Sequence, residues 1–260
     1  MTRLGRHGLD HVFHAVRTDF LDVTRSWTDS TGPDDAGAAG VVELVDPTGE
    51  RAGRVYAAVG EPARVAALLG TVTPDDTVRG VTITRGSGAL AGETLSGWGL
   101  APATTWDRMV TETAPKVPDA GGAVVELLDL DRDADEIADV LAVANPSTRQ
   151  GVRGPRARRA RWYGVRLPPE VSGRGSRALV AVGSAMPVPG DAVHLGSIGT
   201  LPAVRGRGYA GALTARMTAD GVAERGLVTL GLYDDNVAAR RVYERLGFVL
   251  AHEVETWHRA

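Results

Sequence analysis

The sequence feature that most limits the possible folds is a glycine-rich turn between a strand-like segment and a helix-like segment. The run "AVHLGSIGTL" (192–201) has the pattern of a strand, and "AGALTARMTADGVAER" (210–225) has the pattern of a helix. Gly206 and Gly208 lie between them, where the chain has to turn closely. A strand, a glycine turn and a helix in this order predict an α/β fold. Because the first N–H groups of the helix have no partner within the helix, the turn also predicts a site for an anionic phosphate group.

The same turn can be read as a dinucleotide-binding fingerprint, because Gly211 completes the spelling G-x-G-x-x-G. Three features of the sequence oppose that reading. Only about fifty residues follow, too few for the further βα units that a dinucleotide fold needs. The acidic residue that would bind the ribose is expected about 20 residues on, whereas Asp234 and Asp235 come later and lead into a helix cap. Arg205 and Arg207 add positive charge, which favours a cofactor with more phosphate charge.

Composition excludes several classes of protein. The 260 residues carry a net charge of -3, so no overall positive field attracts nucleic acid. The sequence has no cysteine, which excludes disulfides, thiolate catalysis and cysteine-based metal sites. The first residues do not read as a signal peptide, and no segment is apolar over the length needed to span a bilayer. We therefore expect a cytoplasmic protein without a membrane partner.

A proline- and glycine-bearing segment, "TAPKVPDAGG" (113–122), predicts a linker between two domains, residues 1–118 and 119–260. The first domain is predicted to be a smaller α/β half-domain. Its strands are expected at 41–45, 54–59 and 78–84, and its helices at 61–70 and at "TTWDRMVTE" (104–112). In the second domain, strands are expected at 123–130, 161–167, 178–188, 192–201, 227–233 and 248–258, and helices at 133–145, 210–225 and 236–247.

The stretches "TLPAVRGRGYAGAL" and "NVAARRVYERLGF" together resemble the GNAT superfamily of acyl-CoA-dependent N-acetyltransferases. The resemblance covers residues 123–260 and is strongest to the branch of glycine N-acyltransferase-like, or FR47-like, proteins. It implies a GNAT-type mixed sheet flanked by helices, preceded by a half-domain of related topology. The family's loop, Gln/Arg-x-x-Gly-x-Gly/Ala, and its second signature are matched by Arg205, Gly208 and Ala210 and by Asn236, Tyr243, Gly247 and Phe248.

The resemblance implies acetyl-CoA as cosubstrate and no metal. The diphosphate would lie on the backbone N–H groups of the turn, and the pantetheine arm would pair with the preceding strand. That strand splays from its neighbour in the family, and Gly196 and Gly199 suit such a distortion. The cofactor-binding residues implied are Ile198, Gly199, Thr200, Arg205, Gly206, Arg207, Gly208, Tyr209, Ala210 and Asn236.

Two catalytic residues are expected, because an amine that attacks a thioester must lose a proton and the leaving thiolate gains from a proton donor. Tyr243 matches the family's tyrosine acid, although it also belongs to a helical apolar stripe and could be a core aromatic. His194 stands by spacing where family members often carry a glutamate base, and it could equally be a satisfied strand histidine. A water relay, Glu126 or Glu253 are alternative bases.

Two clusters of charged or titratable residues have no assigned role in the acetyl transfer. The basic run "RGPRARRARW" (153–162) is expected to be a mobile solvated loop, with contacts to an acidic substrate, to the 3′-phosphate of coenzyme A or to nucleic acid as alternatives. His7, His11 and His14 share helical spacing and are interpreted as a surface cluster, since a metal would need more ligands.

The sequence therefore predicts an N-acetyltransferase that transfers an acetyl group directly from acetyl-CoA to a primary amine in a ternary complex. The acceptor is expected to be a small molecule or peptide, with no nucleic-acid partner, and the protein is expected to be a monomer or homodimer. A non-catalytic acyl-CoA-binding regulatory module is the alternative, followed by a dinucleotide-dependent oxidoreductase.

Overall fold

The computed structural model describes residues 21–30, 37–46, 53–118, 120–121, 123–146, 148, 151–168, 178–188 and 191–259. They fall into two compact units. The amino-terminal unit comprises Met1–Arg108, Leu232–Asp235 and Leu250–Ala260, and the carboxyl-terminal unit comprises Met109–Gly231 and Asn236–Val249. The division into domains 1–118 and 119–260 stays a prediction, and His7, His11 and His14 lie outside the described residues.

The amino-terminal unit contains a mixed sheet in which β3 and β4 are parallel and the other neighbours are antiparallel. Its strand order is β1-β2-β3-β4-β11. The strands are β1 (Asp22–Thr28), β2 (Gly40–Val45), β3 (Arg54–Val59), β4 (Val78–Thr84) and β11 (Val249–Arg259), and β5 (Leu100–Thr111) belongs to this unit up to Arg108.

Two helices form the core of this unit together with the sheet: α1 (Pro62–Leu69) and α2 (Ser87–Gly97). Pro62 occupies the first turn of α1, where a missing N–H costs nothing, and the side chain of Glu61 accepts from the free N–H groups that follow. The core includes Val41, Tyr56, Val65, Leu69, Ile83, Leu95 and Trp257.

A buried carboxylate ties three strands of the amino-terminal unit together. Glu43 on β2 accepts hydrogen bonds from Arg25 on β1 and from Arg54 and Tyr56 on β3. Burial opposes ionisation of Glu43, but the hydrogen bonds from Arg25, Thr24 and Tyr56 outweigh it and lower the pKa of the carboxyl to about 2. This cluster therefore stabilises the sheet and shows no sign of a catalytic role.

The strands of the carboxyl-terminal unit pair in the order β10-β9-β8-β7-β6. Only β9 and β10 are parallel. The strands are β6 (Val125–Leu128), β7 (Arg161–Leu167), β8 (Ala178–Val188), β9 (Ala192–Thr200) and β10 (Val228–Tyr233), and the helices are α3 (Leu130–Ala144), α4 (Pro155–Arg159), α5 (Tyr209–Arg225) and α6 (Val237–Arg245).

Helices α3 and α5 cover opposite faces of the strands in this unit. A Cβ atom added at Gly199 on β9 would meet Ala144 at the end of α3, at 3.0 Å, whereas one at Gly183 on β8 would meet Met217 of α5, at 2.7 Å. Gly199 pairs with Val182, the neighbour of Gly183, and successive strand residues point to opposite faces. Because helices cover both faces of these strands, the predicted mixed sheet flanked by helices is confirmed.

One predicted element is wrong. Residues 104–112 were expected to form a helix, but residues up to Thr111 belong to strand β5. The spacing of Trp106, Met109 and Val110 fits a helix, yet residues 107–111 are all buried, as in a strand covered on both faces. The hydroxyls of Thr104 and Thr256 lie 2.7 Å apart within the amino-terminal unit, so tertiary pairing outweighs the local pattern.

The basic run 153–162 also differs from the expectation of a solvated loop. Its middle forms the short helix α4, and β7 begins at Arg161. Arg153 pairs with Asp135, and Arg158 pairs with Asp131 at 2.7 Å, both on α3. Two arginines of the run are therefore paired with acidic side chains of α3, and most of the run is helix and strand.

Candidate functional site

The pairing between β9 and β10 stops before β9 ends. Val193, His194 and Leu195 pair with residues 228–230 of β10, and no pair follows beyond Leu195, although β9 continues to Thr200. On its other side β9 stays paired with β8, as far as Thr200. Residues 196–200 therefore have one backbone edge that no described strand of this unit covers, which is the splay expected from the resemblance.

A β-bulge marks the place where β9 changes direction. The register with β8 shifts between Gly196 and Gly199, and Ser197 has a φ of 51°. A positive φ is unusual for a residue with a side chain and stores local strain. The extra residue re-aims the end of β9, so the distortion predicted from Gly196 and Gly199 falls at the serine between them.

The turn after β9 presents free backbone N–H groups. A single 3-10 turn, Pro202–Val204, leads into Gly206 and Gly208, whose φ angles are 80° and 84°. Gly208 is the N-cap of α5, and no side chain among the described residues caps this helix. A Cβ atom at Gly206 would meet nothing within 4 Å, so the turn is open. The start of α5 can therefore accept an anion.

The two arginines of the turn have different surroundings. Arg205 donates from Nε to the carbonyl of Thr200 at 3.0 Å and from Nη2 to the carbonyl of Ala144 at 3.3 Å. It therefore joins the turn to the ends of β9 and α3. Arg207 is exposed and has no recorded bond within the described part of the chain. Arg207 thus has its whole guanidinium available to a ligand, and Arg205 keeps the donors that these two bonds do not use.

The carboxyl end of α3 lies against the distorted part of β9, a contact that the sequence pattern did not reveal. Asn145 donates from Nδ2 to the carbonyl of Ile198 at 3.2 Å, and the hydroxyls of Thr148 and Ser197 lie 3.2 Å apart. The hydroxyl of Thr200 is buried without a hydrogen-bond partner. No motif in the sequence marks Asn145, because its partner is a backbone carbonyl 53 residues away.

His194 is held on the paired part of β9. Its Nδ1 lies 2.9 Å from the hydroxyl of Thr229, a fully buried residue on β10. The side chain is half-buried. This bond fixes the orientation of the ring, which suits both a satisfied strand histidine and an oriented base.

Tyr243 and Asn236 lie on and next to α6. Tyr243 is 8% exposed and packs on Phe248, with ring centroids 6.0 Å apart. Its burial raises the pKa of the hydroxyl to about 12, and no hydrogen bond to that hydroxyl is recorded within the described ranges. Asn236 accepts from the N–H of Ala239 at 3.1 Å and is the N-cap of α6.

Both alternative bases, Glu126 and Glu253, are engaged in ion pairs. Glu126 lies on β6, three strands from β9 in the sheet order, and pairs with Arg166 at 2.7 Å. Glu253 belongs to the amino-terminal unit and pairs with Arg85 at 3.0 Å. In the described ranges no group of three or more His, Asp or Glu side chains is placed to hold a metal ion. None of the helices described is long and apolar enough to cross a bilayer.

Comparison with known proteins finds one matching family and several similar folds. The family model of the FR47-like proteins matches residues 165–258, which include β8, β9, the open turn, α5 and α6. A comparison with curated proteins gave no match. A GCN5-related N-acetyltransferase from Kribbella flavida is similar in structure, with a TM-score of 0.60, 18% identity and coverage of 95% of this chain and 94% of that one. Residues 165–258 thus match the FR47-like family, and the chain shares its fold with solved GNAT proteins.

Two other solved GNAT structures share the fold. A GNAT-family protein from Novosphingobium aromaticivorans has a TM-score of 0.52 and 19% identity, and each chain is covered to 100%. A GCN5-related N-acetyltransferase from Sphaerobacter thermophilus has a TM-score of 0.51 and 17% identity, with coverage of 88% of this chain and 82% of that one. At these identities the likeness establishes the α/β fold of the chain and does not identify its substrates.

We expect Arg205→Lys to destabilise the fold and Arg207→Lys to leave its stability unchanged. Lysine cannot reach the two carbonyls of Thr200 and Ala144 with one planar group, so about 1 kcal/mol of hydrogen-bond free energy is lost. Urea unfolding of the two variants and the wild type measures the difference. Equal unfolding free energies for both variants would contradict the structural role of Arg205.

Proposed function

We propose that this chain is an N-acetyltransferase that uses acetyl-CoA and acetylates a primary amine by direct transfer. One observation carries the proposal: the uncapped start of α5 follows directly from the unpaired end of β9. A helix start attracts a diphosphate, and an unpaired strand edge can pair with the amide groups of a pantetheine arm. An acyl-CoA has both groups in this order.

The turn residues fit the anionic half of this substrate. The backbone N–H groups of residues 206–210 and the exposed guanidinium of Arg207 provide donors for the diphosphate. Tyr209 is buried and anchors the first turn of α5 in the core. Gly206 leaves the space above the turn open for phosphate oxygens.

The end of β9 fits the pantetheine half. The carbonyl of Ile198 is engaged by Asn145, so pairing of the arm with that carbonyl requires the Asn145 side chain to release it. The buried hydroxyl of Thr200 has no internal partner and is available to a polar group of the ligand. Asn236 keeps one amide N–H₂ group beyond its cap bond, in keeping with a contact to the same arm.

The reaction needs one proton acceptor and one proton donor. The amine nitrogen attacks the thioester carbonyl carbon, the C–S bond breaks, the imidazole of His194 takes the amine proton and the Tyr243 hydroxyl gives its proton to the sulfur. The raised pKa of Tyr243 keeps its hydroxyl protonated at neutral pH, as a donor must be. A backbone N–H near the bulge at Ser197 would polarise the thioester carbonyl.

A non-catalytic acyl-CoA-binding module is the second candidate, and two observations favour it. Tyr243 packs on Phe248 as a core aromatic would, and His194 is bonded to Thr229 as a strand histidine would be. Both residues could therefore be structural while the open turn still binds coenzyme A. An enzyme would convert acetyl-CoA to coenzyme A, whereas a binding module would only bind it.

The acceptor is proposed to be a small molecule or a peptide with a primary amine, with neither nucleic acid nor membrane as partner. The protein is proposed to act as a monomer or homodimer.

The enzyme proposal predicts that the wild type releases free thiol from acetyl-CoA in the presence of an amine panel and that Tyr243→Phe slows this release by roughly 100-fold. The Kd for coenzyme A, measured by calorimetry, is expected to change little. Tyr163→Phe is the matched control. Tyr163 is also a buried tyrosine, but its hydroxyl donates to Oδ2 of Asp220 at 2.9 Å, away from the turn. Coenzyme A binding without thiol release would establish the binding module, and NADH binding without coenzyme A binding would contradict both.

His194→Gln is expected to remove the acid limb of the pH profile of kcat/KM. In the wild type the rate falls as the pH drops, because a protonated imidazole cannot accept the amine proton. Glutamine cannot titrate, so the variant is slow at every pH with a flatter profile near neutrality. A wild-type profile in His194→Gln would assign the base to another group.

A further inference from the structure

A strand followed by Arg-Gly-x-Gly and a helix occurs twice in the chain. The second occurrence is in the amino-terminal unit, where Arg85, Gly86, Ser87 and Gly88 connect β4 to α2. Gly86 is the N-cap of α2 with a φ of 92°, and its helix, like α5, begins without a side-chain bond from the cap residue. Both helices therefore begin with N–H groups that neither the helix nor its cap residue satisfies.

The α2 turn already holds an anion, which comes from the chain itself. The N–H of Gly88 donates to Oε1 of Glu255 at 2.6 Å. Gly88 is the second residue of α2, the position whose N–H a capping side chain normally binds. A carboxylate at this end of a helix is favoured by the helix dipole. Glu255, on β11 of the same unit, thus takes the place that a phosphate oxygen would have.

The space at Gly88 is filled. A Cβ atom at Gly88 would lie 2.8 Å from Oε1 of Glu255 and 2.7 Å from Nε1 of Trp257. At Gly86, which matches Gly206 in the motif, a Cβ atom would meet only Pro62, at 4.0 Å, and at Gly206 it would meet nothing within 4 Å. Side chains from β11 therefore fill the space at Gly88, on the first turn of α2, while the first glycine of each motif is open.

The two turns also differ in the charged groups around their arginines. Arg85 lies 2.8 Å from the buried carboxylate of Asp107 and 3.0 Å from Glu253. Arg205, at the same place in the other turn, donates to backbone carbonyls. Asp107, Asp234 and Glu253 thus offset the charge of Arg85, and their negative charge would disfavour a phosphate group at this turn.

We propose that Glu255 is the resident anion of the α2 turn and that it closes the amino-terminal unit to coenzyme A. Of the two glycine turns, only the α5 turn is left to bind a phosphorylated ligand. This inference does not depend on acetyltransferase activity, because it concerns the occupancy of a turn in the other unit.

The test is a titration of the full chain with inorganic pyrophosphate, followed through the backbone amide NMR signals of Gly88 and Gly208. In the wild type, we expect the Gly208 signal to shift and the Gly88 signal to stay unchanged. In Glu255→Ala, the Gly88 signal is expected to shift as well, at higher pyrophosphate concentration than Gly208 because Asp107 and Glu253 remain. Glu93→Ala is the matched control, since Glu93 is an exposed glutamate on the same helix, and it should behave as the wild type.

A Gly88 shift in the wild type, or none in folded Glu255→Ala, would overturn the inference. An unmoved Gly208 signal would instead count against the proposed coenzyme A site, so the two failures can be told apart. If Glu255→Ala does not fold, Glu255→Gln keeps the accepting oxygen without its charge. Amide-proton exchange at Gly88 should then be several-fold faster than in the wild type, and unchanged exchange would overturn the inference.

Discussion

The early end of the β9–β10 ladder is the constraint on which the rest of the candidate site depends. Beyond Leu195 the strand keeps its partner β8 but has no partner among the described strands of its unit on the other side. Unpaired backbone groups are costly unless something binds them. Two of these backbone groups have side-chain partners, because Asn145 donates to the carbonyl of Ile198 and Arg205 donates to that of Thr200. A substrate with amide groups could bind the other backbone groups of this edge.

Arg205 links this free edge to the phosphate-type turn. Its guanidinium bonds the end of β9 to the end of α3. The sequence resemblance implies that Arg205 also contacts the ligand, and that role stays a prediction, since two of its five N–H donors are engaged by backbone carbonyls. Arg207 and the N–H groups at the start of α5 add further donors for an anionic ligand.

The two glycine turns show that a motif alone does not define a binding site. Both have an arginine, a positive-φ glycine cap and a helix start. They differ at the first turn of the helix, where Glu255 accepts from the N–H of Gly88 and Trp257 packs beside it, whereas no side chain among the described residues accepts from the start of α5. The difference comes from β11, since Glu255 lies 167 residues after Gly88 in the sequence.

Local signals were sufficient to predict most of the carboxyl-terminal unit. Gly208 and Gly226 bound α5, Asn236 begins α6, and apolar runs mark β7 to β10, because caps, glycines and hydrophobic patterns act over a few residues. Long-range effects could not be predicted. Strand β5 has a helical pattern and becomes a strand through its tertiary neighbours, and the bulge at Ser197 depends on pairing with β8. The contact of Asn145 with Ile198 likewise joins segments that are distant in sequence.

The most direct test of the account is a crystal structure of the chain with coenzyme A. We predict that the diphosphate lies within hydrogen-bond distance of the backbone N–H groups of residues 206–210, with the pantetheine arm along the free edge of β9. A diphosphate bound anywhere else, or at the α2 turn beside Gly88, would contradict the central claim.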